Sequence, residues 1–334
     1  MQSMAILAKA RRKGRQYLNP VPTSVGSFST FFTVMWRYLT DRSERTPKQS
    51  VGPFRTDARV YENAPVSGLR VTWMGHSSSL LEIDGMNVLV DPVWEQRTAP
   101  VEWFGPKRFF APPLRLEELP RIDVVLVSHD HYDHLGARTV RRLAQSEATA
   151  KAQWVTALGV GEFLKKLGVK HVRELDWTES LRVGQVEITA LPVRHFSGRS
   201  LLGRFGTLWA SYVLAGPKHR VYYGADSGEW EGFKEIGKTY GPFDLTMLEI
   251  GAFDPLWADI HMGPEGAVRT FRSMGAMGLM MPIHWGLFSL ALHAWRQPIE
   301  HVFAVNDLKL WAPEPGVPTE VVAGVELRSE WWRR

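Results

Sequence analysis

The sequence predicts an α/β protein in which two sheets pack together with helices outside. Three observations lead there. Short β-rich runs recur from about Leu69 onward. Several of them are apolar throughout, as strands covered on both faces are. These runs come in consecutive groups as well as alternating with helices, which disfavours a doubly wound single sheet. In chain order the runs are "LRVTWM", "LLEI", "NVLV", "IDVVLVS", "QWVTA", "QVEITAL", "LWASYVLA", "RVYYG" and "FDLTMLEI". Helical patterns separate some of them: "ARTVRRLAQ", "GVGEFLKKLG" and "PEGAVRTFRSMG". The last has Pro264 in its first turn and Gly275 as its stop. A chain of 334 residues with 44% hydrophobic content has material for a substantial core.

The charge is unevenly placed. Residues 1–50 hold nine of the 40 Lys/Arg and two of the 35 Asp/Glu, a local net of +7. The remainder therefore carries 31 bases against 33 acids, a net of −2, although the whole chain stands at +5. A nucleic-acid footprint over the whole protein is not expected. Composition divides the chain into a basic, aromatic-containing N-terminal extension, 1–50, and a domain over 51–334. The extension places "KARRKGR" before "FSTFFTVMWRYL", a cationic stretch followed by an aromatic one. Such a pair suits either the surface of an anionic bilayer or a helix packed on the domain. No apolar run approaches the roughly 20 residues of a membrane span. Cysteine is absent, which removes disulfides and thiolate ligands and fits a reducing compartment. The expected location is the cytoplasm, with peripheral contact to the inner membrane through residues 1–50.

Chemistry concentrates in "VVLVSHDHYDHLG", residues 124–136. Histidine occurs only 11 times in the chain, yet three stand here within six positions. His129, His131, Asp133 and His134 follow a strand and precede a helix, so the spacing gathers four potential metal ligands around one concavity. Imidazole with carboxylate suits zinc, and also manganese or iron. His195, Asp226 and His284 each follow a later apolar run, "ITALPVR", "RVYYGA" and "GLMMPI", and repeat that context.

In that order these residues resemble the ligand series of the metallo-β-lactamase superfamily. Further stretches resemble one branch, the phospholipase D family that hydrolyses N-acyl phosphatidylethanolamine: "VTWMGHSS", "VLVDPV", "FGPKRF", "IGAFDP", "HMGPEGAVR" and "IHWG". The likeness runs from about Val71 to Leu292. It implies a four-layer αβ/βα sandwich and two divalent ions. One ion would be held by His129, His131 and His195, the other by Asp133, His134 and His284, with Asp226 shared. It further implies that Asp91 orients a ligand imidazole and that His261 works at the reaction centre beside Asp226 and Asp133. His76 is implied to lie close to the metals, and the protein to form a homodimer.

The implied reaction is phosphodiester hydrolysis of the phospholipase D type, by a hydroxide held between the ions, on lipids like N-acyl phosphatidylethanolamine. Two other readings stay open: a lactonase or other hydrolase of soluble substrates on the same fold, and a non-catalytic metal-binding sensor. The partners expected are thus a phospholipid, a small phosphodiester or a lactone.

Overall fold

The computed structural model describes all residues except 1–5, 27, 201–202, 323, 325–326 and 328, and only the backbone of 28–31. The elements run β1 (Arg11–Lys13), β2 (Gln16–Leu18), α1 (Phe28–Thr40), β3 (Leu69–Gly75), β4 (Ser78–Ile83), β5 (Met86–Val90), β6 (Val124–Val127) and α2 (Ala137–Ala144). They continue with β7 (Gln153–Ala157), α3 (Gly161–Lys166), β8 (Val172–Leu175), β9 (Ser180–Val183), β10 (Val186–Leu191), β11 (Ser211–Ala215) and β12 (Arg220–Tyr223). The last are α4 (Gly232–Tyr240), β13 (Leu245–Glu249), α5 (Gly263–Ser273), β14 (Leu279–Ile283), α6 (Gln297–Phe303) and β15 (Thr319–Glu320).

One sheet has the order β15-β3-β4-β5-β6-β7-β8 and the other β14-β13-β12-β11-β10-β9. Side-chain alternation explains how each is covered. On β6, Val124 and Leu126 join the core between the sheets. Val125 and Val127 point the other way, into a second cluster with Val140 and Leu143 of α2 and Leu164 of α3. A strand buried on both faces tends to a continuous apolar run, and β6 is apolar at every position. On the second sheet, Phe233 of α4 and Phe271 of α5 are buried with Met247 and Leu245 of β13. The result is the αβ/βα sandwich, two sheets face to face with helices on the outer sides.

Topology collects the site at one edge. β5 to β8 run parallel, as do β12 to β14, and β10 and β12 are both antiparallel to β11. The carboxyl ends of β5, β6, β10, β12, β13 and β14 are therefore where the chain leaves for Asp91, His129, His195, Asp226, Glu249 and His284. Several exits turn sharply. His76, Asp91, Ala225 and His284 have φ of 57°, 38°, 51° and 62°, a region that residues other than glycine enter rarely and mostly where function demands it.

The N-terminal segment is bonded to this edge. β1 and β2 form a hairpin whose Tyr17 is buried in the inter-sheet core. Asn19 clamps the backbone of His195, donating through Nδ2 to its carbonyl at 2.7 Å and accepting its N–H at 3.0 Å. The Arg194 guanidinium donates to the Pro22 carbonyl at 2.8 Å, and Asp259 accepts the Ser24 N–H at 2.8 Å. α1 is tied by Arg37 to Asp254 at 2.9 Å. Replacing Asn19 by Ala should cost about 1–3 kcal/mol of unfolding free energy, because two hydrogen bonds go and the His195 backbone is left unpaired. Urea denaturation of metal-free protein measures it; a loss below about 0.5 kcal/mol would mean that water replaces the amide at no cost.

Candidate metal centre

The seven candidate ligands, scattered over more than 150 positions of sequence, converge. His129 Nε2 lies 2.9 Å from His131 Nδ1, which lies 3.3 Å from His195 Nε2. Asp226 Oδ2 stands 3.7 Å from His129 Nε2 and 3.6 Å from His195 Nε2. On its other side the same oxygen stands 3.1 Å from both His134 Nε2 and His284 Nε2. Asp133 Oδ2 completes that second group, 3.2 Å from His284 Nε2 and 3.6 Å from His134 Nε2. Asp226 thus stands between two adjacent sets of donors. Among the described residues, His129, His131, His195 and Asp226 form one group dense enough to hold a cation, Asp133, His134 and His284 with His76 a second, and Asp226, His284, Glu249 and His261 a third.

Neighbouring groups aim several of the rings. Asp91 is fully buried at the end of β5. Its Oδ1 accepts the Ser128 N–H at 2.7 Å, and its Oδ2 accepts the Ser128 hydroxyl at 2.5 Å, the Tyr223 hydroxyl and His134 Nδ1–H at 2.6 Å. A carboxylate can only accept, so His134 is held with its proton on Nδ1 and Nε2 turned inward. His195 Nδ1–H donates to the Ile260 carbonyl at 2.9 Å, with the same consequence. The loop itself is anchored by Glu95. It accepts the N–H groups of Arg138 at 2.9 Å and Thr139 at 3.0 Å, capping α2 where Gly136 has no side chain to do so. His76 lies against this centre, its Nε2 2.9 Å from Asp133 Oδ2 and its ring 4.0 Å from that of His284. His261 is 5.1 Å from the His195 ring and 5.2 Å from the His284 ring, and its Nδ1–H donates to Glu249 Oε2 at 2.6 Å.

The electrostatics ask for cations. Asp226 and Asp133 are ion-paired with histidines alone among the described residues. Burial opposes charge on His284, yet Asp226 and Asp133 outweigh it and push its pKa up to about 10. His134 is likewise raised, by Asp226 and Asp133 against burial. Burial drives His129 and His195 down and takes His76 down to about 3. Burial also raises the Glu249 carboxyl, with His261 opposing it. His134 Nε2 and Asp226 Oδ1 are buried without a hydrogen-bond partner. Orphaned donors of this kind call for an ion, and neutral imidazole with carboxylate is the donor set that divalent zinc, manganese and iron accept. The residues fit a metal.

Residues 86–285 match the family model of the β-lactamase superfamily domain. The chain belongs to the metallo-β-lactamase superfamily. With these His and Asp groups it is a metal-dependent hydrolase. An uncharacterised protein of Mycobacterium tuberculosis is 41% identical over 307 residues, 90% of this chain and 80% of that one. The N-acyl-phosphatidylethanolamine-hydrolyzing phospholipase D 1 of Caenorhabditis elegans is 36% identical over 236 residues, 67% of this chain and 65% of that one. Among solved structures, an isothiocyanate hydrolase from Delia radicum gut bacteria has a TM-score of 0.60 at 20% identity, over 76% of this chain and all of that one, a likeness of fold.

Asn19, Ser128, Tyr223 and Glu249 are absent from the sequence-based list. Glu249 alone left a trace, an acid closing the apolar run "FDLTML"; a single tyrosine, serine or asparagine gives none.

Ligand imidazoles must shed protons before binding. Asp226 and Asp133 favour the protonated form of His284 up to about pH 10, and they raise His134 likewise. Zinc added at neutral pH should release protons, and affinity should rise with pH from 6.5 towards about 10. Titration in weak indicator buffer checks this; uptake of zinc without proton release at pH 7 would contradict the electrostatics.

Proposed function

We propose that the protein is a binuclear phosphodiesterase of the phospholipase D type, acting on lipids like N-acyl phosphatidylethanolamine. The observation that carries the reading is the pair of donor sets sharing Asp226: His129, His131 and His195 on one side, Asp133, His134 and His284 on the other. Two divalent ions, zinc for preference, would sit there; when bound they lower the pKa of water between them and offset charge on substrate oxygens. Asp226 keeps the two sets at a fixed separation. Asp91 and the Ile260 carbonyl hold His134 and His195 in the tautomer that presents Nε2. His261, beside a ring from each set and with Nδ1–H given to Glu249, is placed to take up a proton at Nε2 as a general base.

The lipid part of the proposal draws on the nematode relative and on α1. Phe32, Met35, Trp36 and Leu39 recur at i, i+3, i+4 and i+7, and their exposures are 60%, 45%, 68% and 74%. An apolar stripe that wide on a helix faces lipid or another protein. α1 lies beside the centre, since Arg37 is paired to Asp254, in the loop between Glu249 and His261. Trp103 and Phe104, also exposed, sit on a loop held to the start of α2 by contact of Glu102 with Arg138. A bilayer under α1 and this loop would bring a lipid phosphodiester to the metals.

Turnover of an N-acyl phosphatidylethanolamine, a homoserine lactone and bis(p-nitrophenyl) phosphate by metal-loaded protein tests the reaction class. Cleavage of the two phosphodiesters is expected; turnover of the lactone alone would make it a lactonase. Asp226→Ala should lower phosphodiester turnover more than about 10²-fold and release metal, and retention of both activity and two ions would remove the shared-ligand assignment. The double variant W36A/L39A should bind anionic vesicles at least about tenfold more weakly, since each side chain contributes about 1.5–3 kcal/mol when buried, with bis(p-nitrophenyl) phosphate hydrolysis unchanged. Equal vesicle binding by variant and wild type would rule out α1 as the contact.

A further inference from the structure

Glu249, the last residue of β13, is fully buried. Among the described residues its charged partners are His261 and His284; no lysine or arginine pairs with it. A carboxylate in that position is expensive unless its oxygens are engaged, and they are. Oε2 takes His261 Nδ1–H at 2.6 Å. Oε1 accepts the N–H of Ser227 at 3.0 Å and that of Met262 at 3.1 Å. Ser227 follows the shared carboxylate Asp226, and Met262 follows His261. One side chain thereby fastens the peptide behind the metal bridge, the loop carrying His261, and the His261 ring itself.

We infer that Glu249 is a positioning residue: it fixes the tautomer and ring plane of His261 and ties them to the backbone that presents Asp226. With Nδ1 committed to the carboxylate, Nε2 is the one nitrogen of His261 left for a substrate lying between His195 and His284. Free rotation or the opposite tautomer would place an N–H where a lone pair is required, or turn the ring away. The inference deepens the hydrolase reading above and rests on it for its kinetic part; the tautomer itself can be read without any turnover.

Substitution by Gln discriminates well. Glutamine offers one acceptor oxygen and one NH2, so it can serve either His261 Nδ1–H or the two backbone N–H groups, never both. Long-range 1H–15N spectra of the metal-free wild type, with the His261 signal identified by its absence from H261A, should show the proton on Nδ1. In E249Q that hydrogen-bonded N–H should weaken or vanish. A His261 protonated on Nε2 in the wild type overturns the inference, and that measurement stands even if E249Q does not fold. In kinetics with bis(p-nitrophenyl) phosphate, E249Q should lower kcat about tenfold or more, with KM within about twofold and metal content unchanged. The double variant E249Q/H261A should be no slower than H261A, because a residue acting through another adds nothing once that other is gone. Losses that multiply, or loss of metal in E249Q, would make Glu249 a structural support independent of His261. If the wild type does not cleave the diester, the phosphodiesterase reading fails while the tautomer result still decides the role of Glu249.

Discussion

Two carboxylates buried among imidazoles, Asp226 and Asp133, are the constraint on which the rest of this structure depends. Removing a carboxylate from water is costly unless a counter-charge meets it. Among the described residues no arginine or lysine pairs with them, only His129, His134, His195, His284 and His76. Imidazolium can balance them when the centre is empty of metal; divalent ions do so with more charge and leave the imidazoles neutral. A site built this way is a poor stabiliser of its own fold and a strong attractor for cations. The surrounding framework therefore has to hold it together.

That framework is assembled from strand ends. The largely apolar sandwich core makes the sheets rigid, and the chain leaves them through tight, left-handed turns at His76, Asp91, Ala225 and His284. Around the donors, acceptors fix three of the imidazoles. Asp91 serves His134, the Ile260 carbonyl serves His195, and Glu249 serves His261. Asn19 then grips the His195 backbone from a segment almost two hundred residues away in sequence. The N-terminal segment is thus bonded to the metal centre through Asn19, and α1 is tied by Arg37 to Asp254, in the loop between Glu249 and His261.

The sequence by itself determined the two-sheet α/β class, because strands covered on both faces are mostly apolar at consecutive positions, as "VVLV" is. It also determined the metal-binding character, because histidines crowded in "HDHYDH" on so histidine-poor a chain have few other uses, and because strand-end contexts recur before His195, Asp226 and His284. Local patterns of this kind survive in one dimension. The short strands β8 and β9 were not legible: Val172–Leu175 is mixed in polarity, and the alternation of Ser180–Val183 lasts only four residues. Only the tertiary structure decided which atoms meet. Asp226 stands between the two donor sets because β12 lies next to β13 and β11 in the second sheet while the motif loop leaves the first; sequence spacing carries no trace of that. The tasks of Asn19, Tyr223 and Glu249 were likewise invisible, because a lone polar residue acquires its meaning from the partner that folding brings within about 3 Å of it.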